Sequence, residues 1–254
     1  MGENELSENR ENNVLDNQIS IGEEKSEAIA HKNDALRELD ASFNKHIELQ
    51  EYKKSNILAY WIKDFSHYHD NERTFDSHRL KRYKRGDIIK VNLGFNIGNE
   101  LGGLHYCVVI NKTDNLSYGT LNVVPLSSIK PDKIYSEYDI NLGNELYNLL
   151  STKFNNNLVA LNRKLLGISK LDLHDQASIK LSAELNAELI YLQKLALELQ
   201  KMKEGTIARI TQITTISKQR IYNPKSKRDI LSGIKLSNAC MDLIDNKIKE
   251  IFTK

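Results

Sequence analysis

Cysteine is nearly missing from this chain, whose 254 residues hold only Cys107 and Cys240. The two are far apart in sequence, and Cys107 falls inside an apolar run, which excludes a disulfide scaffold and points to reduced, buried thiols. Long apolar runs are missing as well. No stretch approaches the roughly 20 residues needed to cross a bilayer, and the N-terminus lacks the basic and then hydrophobic blocks of a secretory leader, so the expected location is cytoplasmic. No sign of charge dominates. With 36 basic and 34 acidic side chains the formal charge is +2, so bulk charge does not announce a nucleic-acid partner. There is no Walker-type phosphate loop and no CxxC pair, and IGNELGG (97–103) has glycines without the spacing or strand-to-helix context of a dinucleotide site. His67, His69 and Asp70 are the nearest approach to a metal cluster. They stand at an expected helix end with no second pair of ligands nearby, so neither a metal nor a cofactor is expected.

What the chain does have is a 40% hydrophobic content, enough for a proper core, and an uneven distribution of charge. Residues 1–22 are rich in Glu and Asn with few large apolar side chains and are expected to form a disordered acidic tail. From Glu23 to Phe65, apolar residues such as Ile29, Leu36, Leu39, Phe43, Ile47, Leu58 and Trp61 recur at intervals of three and four, the helical period. HYHDNERTFDSH (67–78) has no apolar period and reads as a linker, so residues 23–78 form a helical extension. RLKRYKR (79–85) follows, and its cations with Tyr83 interleaved have the composition either of a nucleic-acid backbone groove or of a solvated linker.

At Arg85 the rhythm changes. RGDIIKVNLG (85–94), LHYCVVINK (104–112), YGTLNVVPLSS (118–128) and GTIARITQITTISKQRI (205–221) are β-branched segments punctuated by turn formers, as expected of short strands. Between them Asn144–Phe154 and Asp175–Lys203 are helical candidates. The longer carries a leucine stripe that suits a helical hairpin within the chain better than a coiled coil. Ile230–Phe252 is a last amphipathic helix. The domain from 79 to 254 is thus an α+β unit interrupted by a helical insertion at about 141–204.

Four of these segments, RGDII (85–89), GNELGGLHY (98–106), VVPLSS (123–128) and QITTISKQRI (212–221), stand in an order that resembles the MazF/PemK family of toxin endoribonucleases. The likeness covers about 84–130 and 205–252. It implies a small SH3-like, MazF/CcdB-type antiparallel β-barrel, a homodimer, metal-independent cleavage of single-stranded RNA, and a cognate antitoxin protein as partner. In the family, Gly-Ser-Glu in the loop after the first strand is followed by Arg-Pro. Here Asn99 stands at the Ser, Glu100 matches, and His105 and Tyr106 replace Arg-Pro. Ser127 falls at the Thr or Ser that ends the third strand, with Ser128 one residue away.

The chemistry this implies is attack of the ribose 2′-oxygen on the neighbouring phosphorus. That needs a proton acceptor, a proton donor for the departing 5′-oxygen, and donors for the phosphorane. An imidazole can do either transfer near neutral pH, which a guanidinium hardly can. His105 is therefore the expected acid or base, with Ser127 assisting. Arg85, Asn99, Glu100, Gln212, Thr214, Lys218 and Arg220 are the candidate RNA contacts, Lys218 and Arg220 sharing a face if the last strand continues that far. Two other readings stay open: a binder without activity, as in the gyrase poisons of the same barrel family, and a self-inhibited relative whose added helices cover the RNA groove.

Overall fold

In the computed structural model, residues 3–130, 134–168, 176–203 and 205–253 are described, and they fall into two units, Met1–Ile62 and Lys63–Lys254. The first is helical. Helix α1 (Glu3–Glu48) begins inside the stretch whose composition suggests a tail, and it ends where Gln50 takes a left-handed φ of 58°. Between residues 21 and 48 no side chain of α1 is fully buried. Helix α2 (Tyr52–Glu72) starts in this unit and ends in the second. The expectation of a linker at 67–78 is therefore corrected over its first half. His67, His69 and Asp70 lie on the last turns of a helix, which continues because no Pro or Gly interrupts it.

The second unit is α+β, with a seven-stranded antiparallel sheet. Strands β1 (Ile88–Asn92), β2 (Leu104–Val109) and β3 (Thr120–Ser128) form a meander, with Ile88 opposite Val108 and Tyr106 opposite Leu126. A short β4 (Asp139–Asn141) and the helical pair α3 (Glu145–Ile168) and α4 (Gln176–Lys201) follow. The two helices pack on each other, as a hairpin within the chain should. Asp175, the expected start of the second, lies outside the described residues.

The last β segment does not run as one strand. β5 (Thr206–Arg209) and β6 (Thr214–Ser217) both pair with β3, separated by a 3-10 turn at Ile210–Gln212. A second 3-10 turn, Lys218–Arg220, leads to β7 (Ile221–Asn223) on the far side of β1. Ser217 accepts from the Gln219 N–H and so caps that turn. The strand order is β4-β5-β3-β2-β1-β7, with β6 beside β3, and β4 and β7 are its ends. Helix α5 (Asn238–Phe252) closes the chain, starting eight residues later than its apolar pattern suggests because Ser237 supplies the N-cap, accepting from the Cys240 N–H.

Alternation along the strands explains why they are apolar throughout. Ile89, Val91, Cys107, Val109, Leu121, Val123, Ile216 and Ile221 bury one face around Tyr83. Ile88, Val108, Val124, Leu126 and Ala208 turn the other face to Leu146 and Leu150 of α3, Leu195 of α4 and Met241 and Ile244 of α5. Both cysteines are free and buried. The helices expected as an insertion are thus one wall of a core.

Candidate active site

His105 occupies the second position of β2, opposite Val91 of β1. One step beyond the registered pair Tyr106–Leu126, it stands across from Ser127 of β3. The two strands bring together residues 22 positions apart because the β2–β3 meander is in register. Together they line a cleft of about 190 Å³ that also takes in Tyr106, Ser128, Leu146 at the start of α3, and Lys201, Met202 and Lys203 at the end of α4.

The imidazole is half-buried, and its Nδ1 lies 3.1 Å from the carbonyl oxygen of Leu126. A carbonyl only accepts, so Nδ1 carries the proton. Nε2 is then the basic nitrogen of the neutral ring, and it has no partner among the described residues. Ser127 Oγ is buried and likewise has no hydrogen-bond partner among the described residues. An unsatisfied hydroxyl in a folded interior calls for an explanation such as a ligand.

Tyr106, next to the histidine, is committed elsewhere. Its hydroxyl donates to Glu198 of α4, which also pairs with Lys90 of β1 at 2.5 Å. Burial, reinforced by Glu198, pushes the tyrosine's ionisation well above its ordinary value, so it serves as a donor. Burial pushes the Glu198 carboxyl up, but bonds from Lys90 and Tyr106 outweigh it and hold the group below the usual carboxylate range.

The other expected RNA contacts lie outside this cleft. Asn99 and Glu100 are exposed on the 93–103 loop, which closes on itself where Gly103 N–H donates to Gly94 O at 2.6 Å. A Cβ at residue 102 would stand 2.6 Å from that same carbonyl, so the close approach requires glycine. Gln212 ends a 3-10 turn and accepts from the Leu101 N–H at 3.2 Å, fixing the loop from the side. Thr214 is half-buried in β6, opposite Val123.

Three cationic candidates are held by partners within the protein. Lys218 is 1% exposed, and its ammonium donates to Asp114 at 2.6 Å and to Asn115 O at 3.1 Å. It cannot meet a phosphate without leaving that pair. Arg220 Nε donates to Asn92 O at 2.8 Å, and burial lowers its ionisation from the ordinary value. The strand that would have put the two on one face is broken by the capped 3-10 turn. Arg85 donates to Ile110 O and pairs with Asp245, tying the sheet to α5. A stacking role for Tyr83 in the basic cluster also falls, since its ring is 1% exposed and its hydroxyl donates to Pro224 O.

Lys201 and Lys203 are the cleft residues that strand motifs do not point to. Lys201 ends α4 and Lys203 follows two residues later, nearly 100 positions after His105, and no local pattern marks them. Comparison with curated proteins finds no match. The family model described as PemK-like, MazF-like toxin of type II toxin-antitoxin system matches residues 84–190. That span agrees with the motif-based likeness over β1 to β3, then continues through α3 into α4 and stops before β5. The segment of this chain that holds His105 and Ser127 is accordingly similar to the PemK-like, MazF-like toxins of type II toxin-antitoxin systems.

Proposed function

We propose that this chain is the toxin of a toxin-antitoxin pair and cleaves single-stranded RNA without a metal, using His105 as the proton-transfer group. The carrying observation is the shared cleft of His105 and Ser127 with two lysines at its rim. In the reaction Nε2 of the neutral imidazole takes the proton of the ribose 2′-hydroxyl as that oxygen attacks the adjacent phosphorus. The P–O5′ bond breaks, leaving a 2′,3′-cyclic phosphate, and the 5′-oxygen takes a proton from water or from the imidazolium. Lys201 and Lys203 neutralise the phosphorane, and Ser127, turning about χ1, donates to a non-bridging oxygen. Arginine in the family would supply charge at position 105. Here the charge comes from the end of α4 and the proton transfer from histidine.

The unit that carries the cleft is an SH3-like barrel in this reading, supported by the way residues 214–223 pass from the β3 edge to the β1 edge through one 3-10 turn. Its cognate antitoxin is a protein, and its working form a homodimer. The test is cleavage of mixed single-stranded RNA in excess chelator, with products resolved on gels. His105→Ala should lower the rate by about 100-fold or more. An inactive wild type, or a mutant as fast as it, would remove the enzyme assignment and leave a binding protein of the same fold.

A further inference from the structure

A second cavity, about 1180 Å³, opens between the α3–α4 pair and the turn after β7. Its walls carry Lys194 and Lys201 on one side and Lys227 and Arg228 on the other, all exposed. The acids that also line it are already engaged. Glu188 pairs with Lys164, Glu198 with Lys90, and Asp229 accepts the backbone N–H groups of Lys225 and Ser226. With Lys164, five cations line the groove against these three acids, so it presents net positive charge. Tyr222, 65% exposed, and the half-buried Tyr191 add aromatic surface. Lys201 lines this groove and the His105 cleft alike.

We infer that this groove holds the backbone of single-stranded RNA whose scissile linkage lies in the His105 cleft, a proposal that rests on the nuclease reading above. Cations spaced along a groove neutralise successive phosphates, and an exposed ring stacks on a base of any identity. A small metabolite would leave most of so large and open a cavity unfilled. An acidic peptide would satisfy the cations but gives no reason for the exposed tyrosine or for a lysine shared with the cleft. The helical pair then extends the substrate site.

The experiment measures anisotropy of a labelled, mixed-sequence single-stranded oligoribonucleotide with full-length His105→Ala protein, which consumes it about 100-fold more slowly, over a range of salt. Lys227→Glu combined with Arg228→Glu should weaken binding at least 10-fold. It should also lower the salt slope by about 1.4, at about 0.7 for each phosphate contact. Tyr222→Ala should cost about 5-fold or more, the low end for one lost stacked base. Lys194→Glu on the opposite wall is a second charge reversal, and circular dichroism melts confirm folding of each. Unchanged affinity and slope in every groove variant would overturn the proposal, as would tighter binding of polyglutamate than of RNA. If those variants keep RNA affinity while His105→Ala still slows cleavage in the wild-type comparison, the groove fails and the nuclease reading stands. If the wild type never cleaves, the nuclease reading fails first.

Discussion

At the scale of single residues, two buried polar groups show how differently the fold treats them. Lys218 has two partners, an aspartate and a carbonyl, so its charge is matched inside the core. Ser127 has none. A buried hydroxyl without a partner costs about 1–3 kcal/mol, and a fold retains such a cost where the group does something else. Ser127→Ala should therefore leave stability unchanged or raise it by about 1 kcal/mol, while slowing RNA cleavage about 10-fold. Urea midpoints and cleavage rates on the same preparation check both halves. A destabilised variant with full activity would mean that the hydroxyl is structural. The strand positions of His105 and Ser127 were legible because each falls in a β-branched run with a readable boundary. The sequence hid the fate of Lys218 and Arg220, whose placement depends on a 3-10 turn set by one serine cap, and that of Arg85, whose partner is 160 positions away.

At the scale of elements, α4 meets the sheet through Glu198, with Lys90 from β1 and Tyr106 from β2 converging on one carboxylate. Its folded ionisation lies below the ordinary 4.5, so the interaction contributes fully above that value and is lost as pH falls through the lowered one. Acid should therefore loosen the α4 contact below pH 4.5. Glu198→Gln should cost about 3 kcal/mol at neutral pH, since it leaves the Lys90 charge unmatched, and should flatten the acid limb of the stability curve. Urea unfolding at a series of pH values measures both. If the mutant has the same acid limb as the wild type, other carboxylates govern it. The three meander strands were legible as β-branched runs, and the leucine stripe of α4 was legible as a hairpin face. The length of α3 was not. It extends to Ile168, well past Phe154, because its later turns pack on α4, a support that no local pattern carries. β4 was missed too, since three residues with one buried Ile140 have too short an alternation to register.

For the whole molecule, the contrast is between a unit with two apolar cores and one with almost none. Ile88, Val108, Leu195 and Ile244 are fully buried in one core, and Ile89, Val91 and Cys107 in the other. In α1, by contrast, Leu39, Phe43 and His46 are the only half-buried side chains between residues 21 and 48. Without burial a helix rests on its own hydrogen bonds and propensity, so it melts gradually, whereas a packed core unfolds in one step. Heating should accordingly show a broad loss of helical ellipticity followed by a cooperative transition of the sheet unit. Brief trypsin digestion should cut first at Lys25, Lys32, Arg37 and Lys45, all of them exposed, and leave a resistant fragment that keeps residues 84–252. Mass spectrometry of the early products identifies the sites. Survival of α1 as long as the sheet unit would mean that its apolar stripe is covered by a second molecule, and would give these helices a part in assembly.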